Sequence, residues 1–424
     1  MSAIECWAVC FQDILSWFWW LFRGLLFYRI KYDLGLIYAK VSRYSFTRTL
    51  FRTDPVNLGN NISVVENGES TLIWNPMDNF TVLTIDGGGM RGLYSATLLD
   101  ALVRRFNPEQ NAGVLDLGKK CDLICGTSTG AILACGLVAG VPLKNIIELY
   151  TKHGKEIFQR GRTKGMASIL WILKHLFKPS AEAKQLGNVL QSVFKEETVK
   201  GIYNKRGIAF CIPAVNAATY KAWVFKTPHL NGKNRDNHYK LVDVCMASAA
   251  APVFFPLHSI VNPENKNDTQ VFVDGGLWAN NPVLLALVEA MQIAPQDVNI
   301  NIISIGTAST PNGDPQKLAN LDWGFGRWKF GRESMEMAIT AQAYGYDSAA
   351  KFIANTLSQS GRKIRLERLE ETPKSPEQYS AIGIDKADEI AIKTMSALAE
   401  NDANSIHSKH NGDDNSIVRK FFQL

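Results

Sequence analysis

The sequence predicts an α/β fold with a largely parallel central sheet sandwiched by helices. Two observations predict this fold. From Phe80 onward, short apolar runs of strand length alternate with longer segments of helical periodicity, and glycine-rich turns follow three of the runs. Strands that are separated by helices need crossover connections, which make neighbouring strands parallel and place helices on both faces of the sheet.

Apolar runs and their spacing place the individual elements. We expect strands at 81–86, 122–125, 208–215, 271–274 and 300–305, and helices at 93–106, after Gly130 to about 139, and at 281–293, 334–357 and 386–398. A further apolar stripe at helical spacing, 165–178, is interpreted either as an ordinary core helix or as a lid or second lipid-contact helix.

The composition is that of an ordinary folded protein. Of the 424 residues, 46% are hydrophobic, 20% are charged and 32 are glycines, which excludes a disordered polymer, a collagen-like fibre and a polytopic membrane protein. The seven cysteines are thinly spread, and Cys121 and Cys125 lack the CxxC spacing of a zinc site. We therefore expect a reduced, cytosol-facing protein with no metal and no disulfide framework.

The positive charge is concentrated at the N-terminus. Residues 1–52 carry seven Lys or Arg against three acidic side chains and are rich in Trp, Phe and Tyr, and the rest of the chain shows no basic stripe for a nucleic acid polymer. The apolar run at 14–22 is too short to span a bilayer, and the acidic residues before it argue against a signal peptide. Two interpretations remain: a helix in the plane of a membrane surface, or a helix that packs on the protein's own core.

The chain divides into four predicted segments. These are an aromatic and basic membrane-associating segment (1–52), a linker with Asn, Gly and Pro breakers (53–79), one large domain (80–370), and a C-terminal helix with a polar tail (371–424). We find no internal repeat and no low-complexity tract in the sequence.

The first glycine-rich motif, DGGGMRG at 86–92, lies between a predicted strand and a predicted helix. Its main-chain N–H groups at a helix N-terminus stabilise a phosphate or a developing oxyanion, and Arg91 adds a positive charge. The same pattern fits a dinucleotide-binding turn. That alternative requires an acidic residue at the end of a second strand about 20 residues further on, and 103–113 is instead a helix end and a polar loop.

The second motif, GTSTG at 126–130, also joins a strand to a helix. A serine on such a sharp turn is exposed at the carboxyl edge of the sheet, and the flanking Gly126 and Gly130 relieve the crowding around it. The helix N-terminus behind the turn favours a nascent alkoxide. Ser128 is therefore the candidate nucleophile, and a plain Gly/Ser turn is the alternative.

A serine nucleophile needs a base, and no histidine follows a strand end in a suitable turn. His258 comes nearest, but we interpret it as structural. Asp274 is the better candidate, because it ends a strand and is followed by Gly275 and Gly276. Apolar surroundings that exclude water would raise its affinity for the serine proton. A turn cap is the alternative role for an aspartate at this position.

The three motifs, in this order, resemble the patatin-like phospholipase family. Four flanking segments are also similar to patatin-type sequences: LYTKHGKEIF (149–158), ASAAAPVFFP (247–256), DGGLWANNP (274–282) and DWGFGRW (322–328). The resemblance covers about 80–357, and it implies a three-layer fold related to the α/β-hydrolases.

The resemblance also implies the roles of the motif residues. Ser128 would be the nucleophile and Asp274 the general base, and Asp86 would anchor the first turn rather than transfer protons. An oxyanion hole would form from the main chain of Gly87, Gly88 and Gly89, assisted by Arg91. The remaining motif glycines, which would support these turns, are Gly92, Gly126, Gly130, Gly275 and Gly276.

The function implied by the resemblance is calcium-independent hydrolysis of membrane glycerophospholipid or galactolipid esters, with no cofactor. We expect a cytoplasmic protein bound peripherally to a membrane through 1–52. Some bacterial members of the family are switched on by cyclic nucleotides, so an activating ligand is compatible with the resemblance. The alternative is a catalytically weak lipid- or nucleotide-binding regulatory protein on the same fold.

Overall fold

The computed structural model describes residues 79–110, 115–158, 183–252, 254–308, 324, 328 and 332–424. The N-terminal segment 1–52, the linker up to residue 78, the apolar stripe at 165–178 and most of the DWGFGRW loop lie outside the described residues. The expectations for these segments stay predictions. None of the described helices combines the length and the apolar character that a membrane span requires.

The centre of the described region is one mixed sheet of eight strands. The strands are β1 Asn79–Ile85, β2 Leu123–Gly126, β3 Ala209–Asn216, β4 Lys221–Lys226, β5 His258–Asn262, β6 Asn265–Asp274, β7 Asn299–Ile305 and β8 Ile364–Arg368. They pair in the order β5-β6-β3-β2-β1-β7-β8, and β4 pairs with β3. The five neighbouring strands β3-β2-β1-β7-β8 are all parallel. The pairs β3–β4, β3–β6 and β5–β6 are antiparallel. The expected largely parallel sheet is confirmed.

Helices cover both faces of this sheet. They are α1 Gly92–Phe106, α2 Thr129–Val138, α3 Leu143–Phe158, α4 Ala183–Phe194, α5 Val199–Arg206, α6 Leu241–Ser248, α7 Gly276–Ala279, α8 Val283–Ile293, α9 Arg332–Gln359, α10 Pro376–Ala381, α11 Glu389–His410 and α12 Ile417–Phe422. Two 3₁₀ turns occur at Gly89–Arg91 and Leu117–Lys120.

Strand β1 shows why there are two helical layers. Successive side chains of a strand point to opposite faces. Leu83 and Ile85 belong to the core that contains residues of α1, α2 and α11, whereas Phe80 and Val82 belong to the core that contains residues of α8 and α9. Because both faces of β1 are apolar and buried, the strand reads in the sequence as a nearly continuous hydrophobic run.

Strands β2 and β6 lie end to end along one edge of β3. At Cys211, β3 pairs with β2 on one edge and with β4 on the other, and at Ala214 it pairs with β6 and again with β4. Since β4 holds the other edge at both positions, β2 and β6 share an edge. Strand β2 runs parallel to β3 and β6 runs antiparallel, so their carboxyl ends face each other.

The C-terminal region differs from the expected helix and polar tail. The helix expected at 386–398 is α11, which continues to His410, and α12 follows it. Helix α11 packs along α1, and the Tyr94 hydroxyl donates a 2.5 Å hydrogen bond to the buried carboxylate of Asp402. Polar residues such as Asp402 therefore lie inside the protein, where the sequence pattern alone suggests a solvated tail.

Candidate active site

Ser128 occupies the sharp turn that the sequence predicts. It lies between β2 and α2 with φ of 56° and ψ of −122°, a backbone conformation that non-glycine residues rarely adopt. Such a turn projects the side chain away from the strand and helix, and the local strain is characteristic of nucleophile elbows. Its main-chain N–H donates a 3.0 Å hydrogen bond to Ser248 Oγ, which holds the turn in this conformation.

The two glycines that flank Ser128 are required by close backbone contacts. A β-carbon at Gly126 would lie 2.2 Å from the carbonyl oxygen of Gly130, and one at Gly130 would lie 2.5 Å from that of Ile85. Real β-carbons do not approach backbone oxygens so closely. The motif is therefore set by packing of the turn against β1 as well as by the serine.

The structure brings Ser128 and Asp274 together. The Ser128 hydroxyl donates a 2.6 Å hydrogen bond to Asp274 Oδ2, and Asp274 Oδ1 accepts one of 2.6 Å from the N–H of Gly276. Both side chains are buried. None of the described histidines hydrogen-bonds to either residue, and His258 instead lies 3.1 Å from Asp243. The pair has the geometry of a serine–carboxylate dyad, and no imidazole of the described residues contacts it.

Burial changes the proton affinity of Asp274. Removal from water raises the pKa of its carboxyl to about 6, although the hydrogen bonds from Ser128 and Gly276 act in the opposite direction. A carboxylate with this pKa is still ionised at neutral pH. It also binds a proton more readily than an exposed aspartate, as a general base must.

A short segment at the end of α6 connects the two halves of the dyad. Ser248 Oγ accepts from the Ser128 N–H and donates to the Pro213 carbonyl at 2.7 Å. The Ser248 carbonyl accepts from the N–H of Gly275, and the Ala250 carbonyl accepts from the N–H of Asp274. The same segment thus holds both the turn at Ser128 and the strand end that carries the Asp274 carboxylate. Ser248 is not recognisable from the sequence as a partner of residue 128, because no local pattern around it marks that contact.

The first glycine-rich turn lies beside the dyad, but two of its N–H groups are already bonded. The Gly87 N–H donates to the Asn280 carbonyl at 3.0 Å, and the Gly88 N–H donates to Thr129 Oγ1 at 3.3 Å. Within the described part of the chain, the Gly89 N–H has no acceptor. Gly89 has φ of +58°. Arg91 donates from Nε to the Gly88 carbonyl at 3.4 Å, and burial lowers the pKa of its guanidinium.

Asp86 anchors this turn through a residue that the sequence did not reveal. Its carboxylate forms a 2.6 Å ion pair with Arg368, which also donates to Ser304 Oγ. Burial raises the pKa of Asp86, and the nearby Arg368 offsets part of that rise. Arg368 ends β8, a short strand that was not predicted. No spacing rule connects it to residue 86.

A cavity of about 770 Å³ opens at the dyad. One part of its lining is apolar and includes Ile157, Phe158, Leu186, Phe254, Phe255 and Leu277. Another part is charged and includes Arg91, Glu336, Asp347, Glu371, Lys374 and Lys386. An amphiphile with an acyl chain and a polar headgroup has the matching distribution of polarity.

A second buried cluster, away from the dyad, has metal-ligating residue types. Among the described residues, Cys211, His229 and Glu289 bring their ligand atoms within 4.8 Å of one another. The His229 ring nitrogens contact Thr227 Oγ1 at 2.7 Å and Glu289 Oε1 at 2.9 Å, and Lys226 forms an ion pair with Glu289. Burial raises the pKa of the Cys211 thiol. These contacts occupy both ring nitrogens of His229 and both carboxylate oxygens of Glu289, and they form a network of hydrogen bonds and an ion pair.

Comparison with known proteins gives the family. A model of the patatin-like phospholipase family matches residues 83–287. A cGAMP-activated phospholipase of Pseudomonas aeruginosa is 36% identical over 271 residues, which cover 63% of this chain and 73% of that protein. The chain belongs to the patatin-like phospholipase family.

Two further relatives support the same assignment. A cGAMP-activated phospholipase of Vibrio cholerae is 31% identical over 268 residues, covering 61% of this chain and 73% of its own length. Patatin-T5 of Solanum tuberosum is 28% identical over 297 residues, which cover 65% of this chain and 72% of that protein. The resemblance inferred from the motifs is confirmed, and this patatin-like phospholipase is a lipid ester hydrolase. The dinucleotide-binding interpretation of the first turn is not supported.

Proposed function

We propose that this patatin-like phospholipase is an A-type lipid acyl hydrolase that uses Ser128 as nucleophile and Asp274 as general base. The observation that carries the proposal is the 2.6 Å hydrogen bond from the Ser128 hydroxyl to a buried carboxylate whose pKa is raised to about 6. A direct bond of this kind lets the carboxylate accept the serine proton without an intervening imidazole.

The reaction proceeds in two halves. In the first, Asp274 takes the proton of Ser128 as Oγ attacks the ester carbonyl, and it returns that proton to the leaving alcohol as the carbon–oxygen bond breaks. The acyl group is then bound to Ser128. In the second half, Asp274 takes a proton from water, the resulting hydroxide attacks the acyl-enzyme, and the proton returns to Ser128 Oγ as the fatty acid leaves.

Both halves pass through a tetrahedral oxyanion, which needs hydrogen-bond donors. We assign the Gly89 N–H, which has no acceptor among the described residues, and the Gly88 N–H, whose 3.3 Å bond to Thr129 Oγ1 is long enough to be exchanged. The Gly87 N–H is committed to Asn280. Arg91 contributes positive charge next to the Gly88 carbonyl. Each donor in such a site contributes roughly 10²- to 10³-fold in rate.

The substrates we propose are the ester bonds of membrane glycerophospholipids or galactolipids. The apolar part of the cavity lining suits an acyl chain, and the charged part suits a polar headgroup. Release of fatty acid from mixed liposomes by wild type, Ser128→Ala and Asp274→Asn tests the dyad. We expect both variants to lose at least about 10²-fold in rate. Rapid release by either one would overturn the assignment of that residue.

Residues 1–52 are proposed to bring the enzyme to a membrane surface. Their Trp and Tyr side chains suit the headgroup zone, and their Lys and Arg suit anionic lipid. Liposome co-sedimentation of the full chain and of a chain without 1–52 tests this, since deletion should abolish binding to anionic vesicles. Unchanged binding would mean that another surface contacts the lipid.

An activating ligand is proposed from the relatives. The Pseudomonas aeruginosa and Vibrio cholerae proteins are both named cGAMP-activated phospholipases. If the same regulation applies, cGAMP should increase fatty-acid release by wild type and leave Ser128→Ala inactive. Labelling of Ser128 by a fluorophosphonate, with and without cGAMP, separates an activated enzyme from the alternative of a catalytically weak regulatory protein, which would remain unlabelled.

A further inference from the structure

We propose that the side-chain amide of Asn280 is a further catalytic group, donating a hydrogen bond from Nδ2 to the oxyanion formed when Ser128 attacks the ester. This inference rests on the proposed Ser128–Asp274 dyad. Asn280 lies in the short segment between α7 and α8 and lines the cavity. Sequence reasoning assigned it no role.

The main chain of Asn280 is fixed on both sides. Its N–H donates a 3.1 Å hydrogen bond to Gln342 Oε1 of α9, and its carbonyl accepts the 3.0 Å bond from the Gly87 N–H. The peptide therefore connects the oxyanion turn to the helix that forms another part of the cavity lining. A side chain carried by so constrained a backbone has little freedom to move away from the dyad.

The side chain of Asn280 lies between the two halves of the site. A β-carbon at Gly87 would lie 2.6 Å from Asn280 Oδ1 and 3.2 Å from Ser128 Cβ. At Gly276, a β-carbon would lie 3.1 Å from Asn280 Oδ1 and 3.0 Å from Asp274 Oδ1. One amide is thus adjacent to both Ser128 and Asp274. A side chain at residue 87 would displace it, and one at residue 276 would press against it.

The amide has unused hydrogen-bonding capacity. Among the described residues, neither Oδ1 nor Nδ2 of Asn280 forms a hydrogen bond, although an amide offers two donors and one acceptor. Because Oδ1 faces the two glycines, Nδ2 is the end left for the cavity. A preorganised donor that gains its partner only when negative charge develops stabilises the transition state more than the ground state.

Among the described residues, the first glycine-rich turn does not offer two N–H groups that are both without a partner and available to an oxyanion. In the described part of the chain, the Gly87 N–H is bonded to the Asn280 carbonyl, and the Gly88 N–H must first exchange its 3.3 Å bond to Thr129 Oγ1, so only the Gly89 N–H can bind an oxyanion without losing a partner. A tetrahedral oxyanion is best stabilised by two or more donors. Asn280 Nδ2 would supply a second donor that breaks no existing hydrogen bond among the described residues.

The test compares Asn280→Ala and Asn280→Asp with wild type, using the full chain and a soluble p-nitrophenyl ester. We expect kcat to fall about 10²-fold in the alanine variant. The aspartate variant should fall at least as far, because a carboxylate repels the oxyanion, and KM should change little in both. Asn355→Ala, an exposed asparagine of α9, is the matched control and should retain the wild-type rate.

A second measurement separates catalysis from packing. A trifluoromethyl ketone forms an anionic tetrahedral adduct with a serine nucleophile, so its inhibition constant should rise by the same factor as kcat/KM falls. Full activity of Asn280→Ala, or a fall in kcat without weaker ketone inhibition, would overturn the role of Asn280 alone. Wild-type activity in Ser128→Ala would instead overturn the dyad, and with it this inference.

Discussion

The hydroxyl of Ser248 accepts the main-chain N–H of Ser128 at 3.0 Å and donates to the Pro213 carbonyl at 2.7 Å, so one fully buried side chain joins the nucleophile turn to strand β3. The backbone of Ser128 has a positive φ, and such a conformation persists only when surrounding contacts impose it. Ser248 provides one of these contacts, at the N–H of the strained residue itself.

Replacing Ser248 by alanine should therefore impair both stability and rate. Two buried groups, the Ser128 N–H and the Pro213 carbonyl, would lose a partner, which costs about 1–3 kcal/mol each in free energy of unfolding. We expect kcat on a soluble ester to fall about tenfold or more, since a displaced nucleophile loses its near-attack geometry. Ser259→Ala, at an exposed position of β5, is the control. Wild-type kcat in Ser248→Ala would mean that the turn at Ser128 keeps its conformation without the Ser248 hydroxyl.

The rate should depend on the ionisation of Asp274. In the proposed mechanism only the carboxylate form accepts the serine proton, and burial raises the pKa of this group to about 6. The kcat/KM for a soluble ester should be constant above about pH 7 and fall about tenfold per pH unit below 6. A pH profile measured between pH 4.5 and 8.5 checks this. An inflection near pH 4 would indicate a solvated carboxylate.

The same burial predicts that the Asp274→Asn variant is inactive but more stable at pH 8. Folded Asp274 keeps its proton up to about pH 6, whereas the unfolded chain releases it near the ordinary value of 3.8. The folded state binds more protons between these values, so stability is lost as the pH rises through 6. Asparagine removes this loss, which amounts to about 3 kcal/mol for a pKa raised from 3.8 to about 6.

Urea unfolding of both proteins at pH 8 and at pH 4.5 measures the effect. The stability advantage of Asp274→Asn should be present at pH 8 and should shrink at pH 4.5, where folded wild-type Asp274 is protonated. Equal advantages at both pH values would show that the ionisation of Asp274 does not contribute. A loss of stability at pH 8 would show that the amide cannot replace the hydrogen bonds of the carboxylate.

The strands that could be predicted from the sequence are those whose burial is evident from their own apolar residues. Strands β1, β2, β3 and β7 are buried on both faces, and their apolar runs place them within two residues of the observed bounds. Strands β4, β5 and β8 were missed because they are short and partly exposed, with polar or charged residues. Strand β6 begins six residues earlier than expected. Its first part, Asn265–Gln270, was not predicted because it is polar.

The residues of the site also fall into two groups, those that a local sequence pattern identifies and those that it does not. Ser128 and Asp274 could be proposed because each follows a strand and precedes glycines. Ser248, Asn280 and Arg368 act through partners that are distant in the sequence, and those partners are set by how the ends of β2, β6 and β8 converge. No local pattern specifies that convergence. That the Gly89 N–H has no partner among the described residues, whereas the N–H groups of Gly87 and Gly88 are bonded, could not be anticipated either, because those bonds depend on Asn280 and Thr129.

Glycine 130 should not tolerate a side chain, although it lies in a helix. A β-carbon there would lie 2.5 Å from the Ile85 carbonyl and 2.6 Å from that of Asp86, so Gly130→Ala would push the nucleophile turn away from β1. We expect a loss of activity of at least about tenfold. Gly345→Ala in α9 is the matched control, since a β-carbon there meets nothing within 4 Å.

The control substitution has an expected effect of its own. Alanine is favoured over glycine in a helix interior by about 1 kcal/mol, so Gly345→Ala should raise the free energy of unfolding and leave activity unchanged. Thermal unfolding and ester hydrolysis of the two variants measure the contrast. Similar behaviour of Gly130→Ala and Gly345→Ala would contradict the packing argument.

Removing one partner of the Asp86–Arg368 ion pair should lower stability and activity, because the other partner is left buried without a counter-charge. Asp86 is buried at the start of the first glycine-rich turn, and burial already raises its pKa. Arg368→Met would leave this carboxyl unpaired, and breaking a buried ion pair costs about 3–5 kcal/mol. The variant should also lose activity, because a displaced Asp86 moves the glycines that follow it.

A double variant separates the charge from the packing. Combining Asp86→Asn with Arg368→Met removes both charges, so it should be more stable than Arg368→Met alone and should recover part of the lost rate. Exposed pairs contribute little, so the Lys393–Glu389 pair on α11, broken by Lys393→Met, is the control. If the double variant were no more stable than Arg368→Met, the unpaired carboxyl would not be the cause. Arg368 would then act by filling the space between β8 and the turn.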